Sequence, residues 1–344
     1  MKFLESKWFP IILGVAIVFV IIKDIDFGSR SSSTSFTSST SSTSSNEWKA
    51  PDIDTVPDNE YGRLVRYGQD LIVNTAKYLG PRGTVAAISN GMNCQNCHAD
   101  AGLRPFGNSF AAVASTYPKF RDRSGKMETV EFRVNECMER SMNGSKLDSN
   151  SREMLAMISY LLWVGKNVPK GTKPEGAGIE ELKFMDRAAD VAKGKAIYIA
   201  KCQLCHGPDG EGQLQFDSSG YLYPPLWGPN SYNVSAGLFR LSRFAGYVKN
   251  NMPFGSTHEN PQLTNEEAWD VAAFVNSQPR PNKKFAYDWP DIKTKPVDHP
   301  FGPYADGYTE KDHKYGPFGP IKLAREKVLA NAKKEGSGLK SPKP

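Results

Sequence analysis

The chain has 344 residues, a length that suggests two domains at ~150 residues each. Its 39% hydrophobic content, with 18 Phe, 14 Tyr and 6 Trp, can fill real cores and excludes a wholly disordered protein. The net charge of +6 is spread out rather than gathered into a Lys/Arg block, which argues against nucleic acid as a partner and leaves small anions open.

The N-terminal stretch, residues 1–28, reads as a membrane anchor or a signal segment. After Lys2 and Lys7 the run WFPIILGVAIVFVII, residues 8–22, carries no charge and stops at Lys23. No small-x-small cleavage site follows, which favours an uncleaved anchor over a cleaved signal peptide. Lysines before the run and Asp24 and Asp26 after it orient the rest of the chain away from the cytoplasm, into a periplasmic or otherwise extracytoplasmic space. Residues 29–47 contain SSSTSFTSSTSSTSS, which has almost nothing apolar to bury and reads as a flexible tether.

Two similar units follow, 48–180 and 181–280. In the first, EYGRLVRYGQDLIVNTAKYLG sets Leu64, Gly68, Leu71 and Thr75 along one helical face. In the second, Val191, Gly194, Ile197 and Tyr198 do the same ahead of Cys202. Each unit closes with an apolar helix. That of the first, residues 151–165, has Asn150 and Glu153 at capping spacing; that of the second, residues 264–277, has Thr264 and Glu267. Gly68 and Gly194 would let the first and last helices of each unit approach closely. Between the units, VPKGTKPEGAGIEE reads as a linker. Residues 281–344 have no sustained period and many Pro, Gly and aromatic residues, as expected of an extended strap over the folded units. From Lys322 the chain reads as a basic helix ending in a disordered tail.

Four of the five cysteines fall in two C-x-x-C-H motifs, Cys94, Cys97, His98 and Cys202, Cys205, His206. Two thiols one short turn apart can add to the vinyl groups of a haem while the adjacent imidazole reaches its iron, so the cofactors expected are two covalently bound haem c groups. Zinc or a thioredoxin-like redox pair would also use C-x-x-C, but neither needs the histidine. Haem attachment of this kind requires export, in agreement with the N-terminus.

Each iron has room for a sixth ligand. In the second unit Met252, in KNNMPFGS, precedes the closing helix and can offer a thioether; His258 and Lys249 are alternatives, and a core methionine is the plain reading. A carbonyl of YPPLWGP, residues 223–229, can fix the Nδ1 proton of His206. The equivalent slot of the first unit reads VNECMERSMNG, where Cys137, Met138 and Met142 compete. An exported thiol with no partner in its own chain is a liability unless it is ligated or reactive, which favours Cys137 as the ligand and leaves a merely buried thiol or a methionine ligand open.

The succession CQNCHADAGL, YPKFRDR, EFRVNECMERSMNG, CQLCHG, PPLWGPNS, NNMPFG and VDHPFGPYADG resembles the dihaem thiosulfate dehydrogenases from about residue 50 to residue 325. The resemblance implies a mainly α fold of two cytochrome c-like helical domains, each with one haem, and a C-terminal strap. It implies an oxidoreductase that joins two thiosulfate ions into tetrathionate, reversibly in some members, and hands electrons to a soluble or membrane cytochrome. By the same resemblance His98 and Cys137 would ligate the catalytic iron, and His206 and Met252 the electron-transfer iron. Arg133, Ser141 and an arginine of YPKFRDR, Arg121 in preference to its close rival Arg123, would face substrate. The competing reading is a membrane-tethered dihaem electron carrier without a substrate of its own.

Overall fold

The computed structural model describes residues 48–338. The apolar run 8–22 and the Ser/Thr segment 31–45 lie outside the described residues, and no helix among the described residues is long and apolar enough to cross a membrane. The fold is mainly helical, with two short antiparallel hairpins, β1 (Lys119–Arg121) with β2 (Lys126–Glu128) and β3 (Gln213–Leu214) with β4 (Tyr221–Tyr223).

The expected order of elements recurs in each half. In the first, the opening helix Glu60–Val73 packs against the closing helix Arg152–Val164; in the second, Val191–Lys201 packs against Asn265–Ser277. Both contacts depend on a missing side chain. A Cβ placed on Gly68 would lie 2.0 Å from Ala156 O, and one on Gly194 would lie 1.9 Å from Asp270 O. Glycine therefore brings the backbones into contact, at the cost in chain entropy that any helical glycine carries.

Capping follows the sequence in one case and shifts by a residue in the other. Thr264 and Glu267 form a reciprocal capping box. The closing helix of the first unit is instead capped by Ser151, whose hydroxyl accepts from Met154 N, and not by Asn150. Ser and Asn are nearly equal as N-caps, so adjacent candidates are not separated by residue type.

Each half has its own apolar core, with Tyr160, Met154 and Leu71 at the centre of the first and Trp269, Tyr198 and Leu241 at the centre of the second. Cys97 packs against both cores, and Tyr247 OH donates to Asn96 O across the boundary at 3.1 Å. The stretch between the halves is pinned: Phe106 N donates to Gly176 O, Ala177 belongs to the first core, and Ile179 and Leu182 belong to the second.

The segment after residue 281 is less extended than its composition suggests. It carries the helices Glu310–Tyr315 and Phe318–Gly338, the second starting before Lys322, and it buries Phe318 and Ile321 in the second core. Its hold on the first unit is ionic. Asp288 accepts from Arg140 Nη1 at 2.7 Å and Nη2 at 2.8 Å, and Trp289 N donates to Arg123 O at 2.7 Å.

Gly68→Ala and Gly194→Ala should each destabilise the protein by about 1–3 kcal/mol through overpacking, despite alanine's better helix propensity. The check is the thermal midpoint of the holoprotein against an exposed control, Lys195→Ala; midpoints equal to the control would show that the helices can part without cost.

Candidate active site

The two C-x-x-C-H histidines are prepared in the same way. His98 Nδ1 lies 2.6 Å from Asn108 O, and His206 Nδ1 lies 2.9 Å from Pro224 O. A carbonyl only accepts, so Nδ1 carries the proton in each ring and Nε2 keeps its lone pair. The carbonyl of the YPPLWGP stretch thus sits where the sequence suggested. Burial pushes His98 down to about 4 and lowers His206 as well, which leaves both imidazoles neutral, the form that binds a metal. Burial also keeps the neighbouring thiols protonated, pushing Cys94 and Cys202 up to about 11 and Cys97 up to about 12. Among the described residues no three His, Cys, Asp or Glu side chains converge as a zinc set would. Paired thiols with a neutral, oriented imidazole on a cavity wall fit a covalently attached haem.

A cavity of about 420 Å³ lies against the first motif. Cys94, Cys97 and His98 line it, and so do Cys137, Met138, Ser141 and Met142. Cys137 lies within the helix Val130–Arg140, which Thr129 caps by accepting from Phe132 N, and Ser141 ends that helix with its N–H on Cys137 O. Met138 and Met142 are packed into the first core, whereas Cys137 is only half-buried.

The charge of this lining is one-sided. Lys119, Arg121, Arg123, Arg133, Lys173, Arg240 and Arg243 all border the cavity, and among the described residues no Asp or Glu does. Carboxylates stand behind several of them. Arg133 Nη1 is 3.0 Å from Glu136, Arg240 Nη2 is 2.6 Å from Asp298, Arg243 Nη2 is 3.3 Å from Glu181, and Arg121 Nε is 3.9 Å from Glu128. Arg123 differs. It is 8% exposed, its Nη1 is buried without a hydrogen-bond partner among the described residues, and the Trp289 ring lies 5.8 Å from its guanidinium. Burial first, and then Arg140 and Arg133, push Arg123 down to about 10, so it remains a cation at neutral pH. Arg133 moves the other way: the Cys137 sulfur is the largest influence holding its guanidinium above arginine's ordinary range.

A second cavity of about 940 Å³ is lined by Cys202, Cys205, His206 and Met252. Met252 ends the helix Leu241–Asn251, the counterpart in order of the helix that carries Cys137. His258 also borders this cavity and rests on Phe106 with ring centroids 4.6 Å apart, while Lys249 is outside the lining. Asn93, Cys97 and Leu238 border both cavities, so one wall serves the two.

The residues singled out in the sequence thus gather at two places: His98, Cys137, Arg133, Ser141, Arg121 and Arg123 at the first cavity, and His206 and Met252 at the second. Sequence reasoning missed Lys119, Lys173, Arg240 and Arg243. Lys173 sits in the inter-unit stretch, and the two late arginines belong to the second unit while lining the first unit's cavity. The only local signal was RLSR, residues 240–243, which places two cations three apart at a helix start.

Comparison with known proteins agrees with this architecture. The family described as "SoxA/TsdA, cytochrome c domain" matches residues 84–169, and "Cytochrome c" matches residues 191–279, so each half is a cytochrome c domain with one covalently bound haem c. A thiosulfate dehydrogenase of Psychrobacter arcticus is 38% identical over 245 residues, covering 71% of this chain and 72% of the relative. The thiosulfate dehydrogenase of Allochromatium vinosum is 36% identical over 230 residues, covering 66% of this chain and 82% of the relative. Among solved structures, the thiosulfate dehydrogenase TsdBA of Marichromatium purpuratum superposes with a TM-score of 0.64 at 31% identity, covering 74% of this chain and 52% of that one. The chain belongs to the thiosulfate dehydrogenase family.

Proposed function

We propose that this protein couples two thiosulfate ions to tetrathionate at the first cavity, in an extracytoplasmic compartment, and passes the electrons outward through the second. The observation that carries this reading is a cavity with a cysteine, Cys137, in its wall and, among the described residues, seven cationic side chains around it and no carboxylate in its lining. A plain electron carrier has no use for such a lining, and in particular none for a buried arginine without a partner.

His98 and Cys137 would hold the first iron, and His206 and Met252 the second, with the four motif cysteines as thioether anchors. The haems, when bound, supply one-electron acceptance at each centre. The remaining work falls to side chains. Unit charges of like sign ~4 Å apart repel by ~4 kcal/mol at an effective dielectric of ~20, and two dianions count four such pairs. Arg123 and Arg133 offset that repulsion with charge-assisted hydrogen bonds, and the planar fork of each guanidinium sets the direction of the anion it holds. The Ser141 hydroxyl adds a neutral donor. In sulfur terms, the Cys137 thiolate bonds to the outer sulfur of one thiosulfate with loss of two electrons. The second thiosulfate then attacks that bond, releasing tetrathionate and the thiolate. No proton moves, so no general acid or base is required.

Of the two candidates in YPKFRDR, Arg123 is favoured over Arg121. Arg121 is partly exposed and has Glu128 within 4 Å, whereas the buried Nη1 of Arg123 has nothing in the protein to bond. The tether reading extends to the N-terminus: residues 8–22 anchor the protein to the membrane and the Ser/Thr segment gives it reach. The charge asymmetry about that run supports this orientation.

Cys137→Ala should retain both covalent haems and lose thiosulfate turnover by at least about 100-fold, because the residue joins every sulfur step. Haem staining on denaturing gels and thiosulfate-driven reduction of an artificial acceptor check the two halves; full turnover would remove Cys137 from the chemistry.

Arg123→Ala should lower kcat/KM for thiosulfate by about 10–100-fold, the equivalent of about 1.5–3 kcal/mol for a charge-assisted hydrogen bond. Arg121→Ala should lower it less than about fivefold, as a partly exposed side chain with a carboxylate nearby does. The reverse order would assign the anion to Arg121.

A further inference from the structure

The cations around the first cavity differ in what stands behind them. Four of the lining arginines have a carboxylate within 4 Å, whereas Lys119 and Lys173 are in no ion pair among the described residues. Tyr117 lines the same cavity, and among the described residues its hydroxyl makes no hydrogen bond. Lys119 Nζ lies 4.9 Å from the centre of the Tyr117 ring, a cation–π contact. Lys173 joins them through the backbone: Gly171 N donates to Ser115 O at 2.8 Å and the Ser115 hydroxyl donates to Thr172 O at 2.7 Å. The inter-unit stretch is thereby laid beside the short helix Val113–Thr116, which Tyr117 ends.

Burial raises the Tyr117 phenol above its ordinary value; Arg133 and Arg121 act against the rise, and Glu128 and Cys137 add to it. Tyr117 is therefore a neutral O–H donor without an acceptor. Burial lowers Lys119, and Arg121, Arg133 and Lys173 lower it further, against the pull of Glu128. An anion seated among these groups would relieve the crowding of cations and accept from the phenol. The residue types also suit a particular kind of anion. Lysine's compact charge on a flexible stem serves one that arrives and departs, whereas the arginine fork serves one held in a fixed direction.

We infer that Tyr117, Lys119 and Lys173 seat the second thiosulfate, the ion that attacks the Cys137-bound sulfur and leaves as half of tetrathionate, while Arg123 and Arg133 hold the first. The inference rests on the thiosulfate-coupling reading. In this discharge step the terminal sulfur of the second ion bonds to the sulfur attached to Cys137 Sγ, and the Sγ–S bond breaks. A dianion and a monoanionic adduct become tetrathionate, itself a dianion, and the Cys137 thiolate, so no electron or proton enters or leaves. Attack comes from the side of that sulfur away from Sγ. The three residues belong to segments other than the helix Val130–Arg140, which carries both Cys137 and Arg133. The Tyr117 hydroxyl donates to a sulfonate oxygen, and the two lysines offset the charge of the incoming ion.

The test uses the holoenzyme with ferricyanide as acceptor. Tyr117→Phe, and separately Lys119→Gln with Lys173→Gln, should slow turnover at a fixed, sub-saturating thiosulfate concentration by about tenfold. Lys126→Gln, which alters an exposed cation of the same hairpin outside the lining, should turn over as wild type does. Intact-mass spectrometry of samples quenched during turnover should find the Cys137 adduct about tenfold more abundant in the two slowed variants than in wild type, because only its discharge is hindered. Haem staining and the thermal midpoint separate this from misfolding, since an unfolded variant accumulates no adduct. Turnover equal to wild type in both variants, or a loss of turnover without accumulation of adduct, would overturn the assignment. If the wild-type enzyme takes no electrons from thiosulfate, the coupling reading itself fails; if it does while both variants match Lys126→Gln, only the second seat is lost.

Discussion

The constraint on which this structure turns is electrostatic: among the described residues, seven cationic side chains and no carboxylate border one cavity. Two such charges ~6 Å apart repel by roughly 3 kcal/mol at an effective dielectric of ~20, so the ring cannot persist unless opposite charge sits close behind it. Glu136, Glu128, Glu181 and Asp298 supply that charge from outside the lining. Burial works against ionised Glu136, but Arg133, Arg140 and Arg123 outweigh it and hold its carboxyl below the usual range. The carboxylates balance the cations in the direction away from the cavity and leave their net field inside it.

This requirement explains the path of the C-terminal segment. Arg140, 1% exposed on the helix that carries Cys137, bonds Glu136 one turn back and Asp288 from the segment. Asp298, from the same segment, takes Arg240 Nε and Nη2 together with the Ser242 N–H and hydroxyl. Removing Asp298 would take away the counter-charge of Arg240, and removing Asp288 would leave the buried Arg140 with Glu136 alone, each a larger loss than a surface ion pair represents. Trp289 meanwhile covers Arg123 and contributes no charge, consistent with a guanidinium that keeps one nitrogen unpaired.

What could be read from the sequence follows the range of the interaction concerned. The paired helices, the two glycine contacts and the motif histidines were legible because each rests on spacing within a few turns or on a short motif. Cys137 stood out by elimination, since its chemistry has no place to go unless something binds it. The counter-charges were not legible. Arg140 meets Asp288 across 148 residues and Arg240 meets Asp298 across 58, and no local pattern marks one aspartate of a Pro-rich stretch over another. Arg240 and Arg243 were missed for a related reason: they belong by sequence to the second unit and by position to the first unit's cavity. The choice between Ser151 and Asn150 as a cap failed on a smaller scale, because residue type alone does not separate neighbours of equal propensity.

The two halves use one topology for different electrostatic purposes. Both put a sulfur-bearing residue on the helix that precedes the closing one, but Cys137 lies inside its helix beside Arg133, while Met252 ends its helix next to a proline. A cysteine can carry negative charge and so belongs with the cationic ring; a methionine cannot, and its cavity is bordered by the paired Arg104 and Lys201, by Glu259 and by the exposed apolar Leu222 and Phe254. Because Asn93, Cys97 and Leu238 are common to both walls, these unlike environments are only one layer of residues apart. A cavity lined by cations and a cavity lined largely by apolar side chains thus share one wall. At the boundary between them Cys97 packs against both cores.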